Sequence, residues 1–72
     1  MTLLSVLDQS PIRNGATPAD AVADTLALAE HVDQLGFHRY WLAEHHSSNG
    51  LAGAAPEIMI PQVAARTQGI RV

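Results

Sequence analysis

Two short apolar runs, each followed by a polar loop and then by a helix signal, constrain this chain most. Leu3 to Leu7 reads Leu-Leu-Ser-Val-Leu and stops at Asp8-Gln9-Ser10-Pro11. Phe37 to Ala43 reads Phe-His-Arg-Tyr-Trp-Leu-Ala and stops at Glu44-His45-His46. Short apolar or aromatic runs bounded by turn residues predict buried strands. Between them, Thr17 is a good N-cap, Pro18 suits the first helical position, and Asp20 stands where a capping-box acid reaches back. Val22, Leu26, Ala29 and Val32 follow helical spacing, widened by Ala21, Leu28 and Leu35. Gly36 fits the left-handed position that ends many helices. The pattern predicts a helix over Pro18 to Leu35, with Asp20, Asp24, Glu30, His31, Asp33 and Gln34 on its solvated side.

Pro56-Glu57 opens a second helix signal, with Ile58, Met59, Ile60, Val63 and Ala64 as its apolar side. Pro61 lies inside it. An interior proline removes a hydrogen bond and crowds the carbonyl four residues back. Either the helix kinks there or it begins at Pro61. Gly69 is the expected stop, and Ile70-Arg71-Val72 reads as the opening of a third strand. Strand, helix, strand, helix and the start of a strand form a repeated βα unit. That order predicts an α/β fold with a parallel sheet and right-handed crossovers.

Parallel sheets are covered by helices on both faces and need several such units. A chain of 72 residues supplies few of them, and short chains bury too little surface to be comfortably stable. The expectation is that residues 1–72 are the N-terminal part of one larger domain, incomplete at the C-terminus. A very small complete α/β domain is the alternative.

Composition narrows the function classes. A hydrophobic fraction of 47%, a charged fraction of 15% and a net charge of −3 exclude disorder as the main reading. The chain has no cysteine, so no disulfide or thiolate metal site can staple it. Its basic residues are Arg13, Arg39, Arg66 and Arg71, too scattered for a nucleic-acid surface. No apolar run approaches the roughly 18 residues of a membrane span. No basic residue precedes the first apolar stretch and Asp8 cuts it short, against a secretory signal. A cytoplasmic protein is the expectation. The five glycines form no GxGxxG pattern and no phosphate loop.

In parallel α/β sheets, ligands gather at the carboxyl ends of the strands. Asp8-Gln9-Ser10 and Glu44-His45-His46 both fall there. Histidine exchanges protons near neutral pH and serves as general acid or base. Strand alternation puts Arg39, Trp41, Ala43 and His45 on one side, and His38, Tyr40, Leu42, Glu44 and His46 on the other. His45 is favoured as the inward residue, with Glu44 able to orient an imidazole. A zinc site is disfavoured, because Glu44, His45 and His46 lack the helical histidine spacing and no cysteine assists; no metal is expected. Tyr40 and Trp41 read as core, His31 as surface and His38 as packing.

These residues resemble a known family. Leu4-Ser5-Val6-Leu7-Asp8-Gln9-Ser10-Pro11, then Gly36-Phe37-His38-Arg39-Tyr40-Trp41-Leu42-Ala43-Glu44-His45-His46, look like the N-terminus of the bacterial luciferase-like flavin-dependent monooxygenases. Ala55-Pro56-Glu57 and the stretch from Ala64 to Val72 are similar to the next segments of that family's chains. The resemblance covers nearly the whole chain. It implies a (β/α)8 TIM barrel, represented here by two βα units and the start of a third strand. It implies a reduced flavin, FMN or in some relatives a deazaflavin, that reacts with oxygen to oxygenate a small organic substrate. By the same resemblance His45 is a functional active-site residue, with His46 and Glu44 as its support. Most cofactor-binding contacts are expected beyond Val72, so these 72 residues alone should bind flavin weakly or not at all and be inactive. A flavin reductase and a dimeric parent are further implications. The alternative is a flavin-binding relative without catalysis, or an inactive truncated product.

Overall fold

The computed structural model describes residues 2–45, 50–52 and 55–72. Strand β1 spans Ser5–Asp8, helix α1 Pro18–Gln34, strand β2 Arg39–Leu42 and helix α2 Pro56–Arg66. β1 and β2 pair in parallel, with Ser5 opposite Arg39, Val6 opposite Tyr40, Leu7 opposite Trp41 and Asp8 opposite Leu42. Both strands are shorter than their apolar runs. Leu3, Leu4 and Phe37 lie outside them, and β1 runs one residue further, through Asp8. On the other side of β2, Arg71 forms a parallel bridge to Arg39. The Tyr40 N–H donates to the Arg71 carbonyl at 2.7 Å, and the Arg71 N–H donates to the His38 carbonyl at 3.1 Å. A third strand therefore begins where Ile70-Arg71-Val72 predicts it.

Helix α1 is built as its end signals dictate. The Asp20 N–H donates to Thr17 Oγ1 at 3.2 Å and the Thr17 N–H donates to Asp20 Oδ2 at 2.9 Å, a complete capping box. The Thr17 backbone N–H first, and then the Thr17 side chain, hold the Asp20 carboxyl below its ordinary range. At the other end Leu35 is the C-cap and Gly36 has φ of 82°. The Gly36 N–H reaches the Asp33 carbonyl and the Phe37 N–H reaches the Val32 carbonyl, each at 3.1 Å. That pair of bonds is the Schellman arrangement, which needs a left-handed residue at Gly36.

Helix α2 starts at Pro56 and runs continuously through Pro61. It loses one internal bond there, from the missing N–H of Pro61. It stops at Thr67, not Gly69: Thr67 is extended (φ −119°, ψ 164°), and its hydroxyl donates to the Val63 carbonyl at 2.9 Å. Gly69 instead gives its N–H to Asp33 Oδ1 at 2.9 Å. Asp33 also accepts from Gln68 and Ile70, each at 2.9 Å. It is thus no idle member of a solvated face, because it ties the end of α1 to the start of the third strand. Those N–H donors, Gly69 foremost, hold its carboxyl below the ordinary range.

Alternation decides which residues meet the helices. Tyr40, Ala29, Val32, Val63 and Ile70 form the buried core, with Val6, Leu26, Phe37, Leu42 and Val72 packed against it. The buried line of α1 is Ala21, Thr25, Ala29 and Val32. Leu28 and Leu35, expected to widen it, are exposed. The opposite face of the strands is open. Leu7 is 65% exposed and Trp41 53% exposed, with the Arg39 guanidinium 5.3 Å from the Trp41 ring centroid. Tyr40 is core as expected. Trp41 lies on the opposite face, outside the core that these 72 residues form.

Candidate active site

Because β1 and β2 are parallel and Asp8 stands opposite Leu42, the segments leaving both strands emerge side by side. From β2 come Ala43, Glu44 and His45. Glu44 is exposed and His45 is half-buried. The strand ends at Leu42, so alternation does not extend as far as His45. The His45 Nε2 atom is buried and meets no hydrogen-bond partner among the described residues. Buried polar atoms are almost always satisfied, which makes this nitrogen the exception among the described residues. His46 lies outside the described residues.

The two sequence clusters do different work. Asp8 and Ser10 are buried, at 7% and 4% exposure, on the helix side of the sheet. The Tyr40 hydroxyl donates to Asp8 Oδ2, and the Ser10 N–H donates to Asp8 Oδ1 at 2.7 Å. Ser10 Oγ and Thr25 Oγ1 share a hydrogen bond of 2.8 Å. Burial first, and then the bond to the Asp8 carboxylate, push the Tyr40 phenol far above its ordinary value, so it stays protonated as a donor. This network seals the space between β1, β2 and α1. One signal for it was present in the residues: Thr25 interrupts the apolar stripe of α1 midway between Ala21 and Ala29, and a polar residue at such a place needs a buried partner.

The segments themselves are joined. The Ile12 N–H donates to the Gly50 carbonyl and the Ala52 N–H donates to the Ser10 carbonyl, each at 2.8 Å. Pro11 and Leu51 stand opposite one another as an antiparallel bridge. The chain carrying His45 therefore leaves β2 and returns to a fixed contact with the turn after β1.

At the other end of the strands, a groove of about 390 Å³ is lined by Glu30, Asp33, Gln34, Arg66, Gln68 and Gly69. Its Asp33 carboxylate is already engaged by three backbone N–H groups, and Arg66 faces Glu30 at 3.7 Å. The groove lies at the amino ends of the strands, away from His45. Among the described residues, no group of three or more histidine or acidic side chains could hold a metal ion. Nor is any helix among them long and apolar enough to cross a membrane.

Residues 2–72 match the family described as luciferase-like monooxygenase. The chain belongs to that family. It is 50% identical over 72 residues to the Bacillus subtilis protein YceB, and 46% identical over 72 residues to the N-acetyl-S-alkylcysteine monooxygenase of the same organism. Each alignment covers 100% of this chain and 22% of the relative. The crystal structure of apo-MsnO8 superposes with a TM-score of 0.97 at 46% identity, over 100% of this chain and 22% of that one. The chain thus spans about a fifth of the length of these relatives. Its β-α-β-α order and third-strand start are the N-terminal portion of the family's TIM barrel.

Proposed function

We propose that the whole protein to which this chain belongs is a flavin-dependent monooxygenase, and that His45 handles a proton in its active site. The carrying observation is the Nε2 of His45, buried and without a hydrogen-bond partner among the described residues, just past the carboxyl end of β2, the end at which TIM barrels conduct their chemistry. The residues present fit a flavin or its substrate in two respects. His45 offers a hydrogen-bonding nitrogen with nothing yet bonded to it among the described residues. Near the carboxyl ends of β1 and β2, on the face away from the helices, Leu7 and Trp41 supply apolar side chains suited to excluding water. Reduced FMN is the cofactor we assign, and when bound it supplies the two electrons by which one oxygen atom enters the substrate and the other leaves as water.

The chain's own contribution is positional and acid–base. Imidazole is the side chain best suited to exchanging a proton near neutral pH. His45 Nε2 holds or passes that proton, and Glu44 and His46 flank it as support. The substrate is a small organic molecule, and oxygen is the co-substrate. We assign the supply of reduced flavin to a partner reductase and the working state to a dimer, both by family.

The test is made on the whole protein, supplied with reduced FMN and oxygen. His45→Ala is expected to lower the yield of oxygenated product at least about 100-fold, as loss of a general acid or base does. Flavin oxidation should continue with release of hydrogen peroxide. Undiminished oxygenation by His45→Ala would remove His45 from the chemistry.

A further inference from the structure

We infer that Ser10 is a positioning residue that sets the place of His45, by clamping the segment after β2 to β1 and α1. All three of its polar groups are used, and each goes to a different element. Its N–H donates to the Asp8 carboxylate at the end of β1 at 2.7 Å. Its hydroxyl bonds the Thr25 hydroxyl in the middle of α1 at 2.8 Å. Its carbonyl accepts from the Ala52 N–H, on the segment returning from His45, at 2.8 Å. Ser10 is 4% exposed and Thr25 is 2% exposed, so water does not replace these bonds when one is cut.

The backbone says the same. Ser10 has φ of 51° and is the only non-glycine residue with positive φ among the described residues. Glycine adopts that conformation freely, whereas a side chain strains it. Glycine, however, has no hydroxyl for Thr25. The strained serine is held because its surroundings over-determine it. Downstream, Pro11 stands opposite Leu51 in a bridge whose flanking donors are Ile12 and Ala52. That is the pair type in which the facing residues exchange no bonds, so the missing N–H of proline costs nothing there. The near end of the His45 segment is fixed by β2, which ends at Leu42. Its far end is fixed by this two-bond ladder, and the ladder is registered against α1 through Ser10.

The catalytic half of this inference rests on the role proposed for His45; the positional half does not. The experiment uses the whole protein and three substitutions. Thr25→Val removes the hydroxyl partner without touching the strained backbone, and Thr25→Ser keeps it. Ser10→Gly removes the serine hydroxyl while relaxing the backbone at φ 51°, so its effect cannot come from added backbone strain. In Thr25→Val and Ser10→Gly, amide exchange at Ala52 is expected to be about fivefold faster, the ratio for loss of one net hydrogen bond. The His45 imidazole resonance should move, while those of His31 and His38 stay in place. Turnover should fall about tenfold or more, as misplacement of a reacting group does. Thr25→Ser should match the wild type in every readout. Unchanged Ala52 exchange or an unmoved His45 resonance in the folded variants overturns the clamp. So does a Thr25→Ser protein that behaves like Thr25→Val. A moved resonance with faster exchange and full turnover leaves the clamp standing and overturns the catalytic role of His45.

Discussion

Tyr40 and Asp8 place a phenol against a carboxylate inside the core, and this one contact explains several features of the surrounding residues. The carboxylate accepts from the Tyr40 hydroxyl and from the Ser10 N–H. Removing one donor leaves a buried acceptor under-satisfied, which costs about 1–3 kcal/mol. Tyr40→Phe is therefore expected to lower the stability of the whole protein by that amount in chemical denaturation. Its pH dependence has a definite sign. Burial and the Asp8 bond raise the folded-state value of the phenol above its ordinary 10.0. The stabilisation is therefore complete below about pH 10 and is lost as pH rises beyond it. The wild type should lose stability in strongly alkaline solution, and Tyr40→Phe should lack that component. A Tyr40→Phe protein with the wild-type midpoint at pH 7 would show that the hydroxyl bond contributes nothing. The aromatic run of β2 announced a strand. Which of its two large aromatics would be buried depended on which face met the helices.

At the scale of elements, α1 was the most legible part of the chain. Its cap, its first turn and its glycine stop are local signals, and all three act as their chemistry requires. Helix α2 was less legible, because its proline allowed two starts and its stop was set by Thr67. The Asp33 link was not legible at all: the residues it bonds, Gln68, Gly69 and Ile70, are more than thirty positions away. These N–H donors lower the Asp33 carboxyl value, so its contribution is present above the ordinary carboxylate value of about 3.9 and lost as pH falls through the lowered one. Asp33→Asn should have a lower denaturation midpoint than the wild type at pH 7. The two should converge only in acid well below the ordinary carboxylate value of about 3.9, as pH falls through the lowered value and the wild-type carboxyl protonates. A gap that persists unchanged into strong acid would rule out the charge as its source.

For the whole molecule, the open face of the strands is the dominant feature. Leu3, Leu7 and Trp41 are 66%, 65% and 53% exposed, and Ile58 on α2 is 64% exposed. Large contiguous apolar patches are uncommon on monomeric proteins, and an unpaired strand edge invites association. In a (β/α)8 barrel, the inward strand face meets side chains from the other strands. The 72-residue polypeptide by itself is expected to self-associate with rising concentration in sedimentation and to bind a hydrophobic dye. The whole protein should bind far less dye per chain. A dye-silent, monomeric 72-residue polypeptide that melts cooperatively would contradict this reading of the surface.

The alternation of strands and helices, the parallel sense of the sheet and the ends of α1 were all readable in the residues alone. They obey short-range rules of spacing, capping and alternation, which act over a few residues. Tertiary contacts settled the rest: Asp8 and Ser10 belong to a buried network with Tyr40 and Thr25, Trp41 lies on the open face, and the segment carrying His45 is tied to the turn after β1. Those outcomes depend on hydrogen bonds and packing between residues far apart in the chain, whose partners are chosen only when β1, β2 and α1 come together.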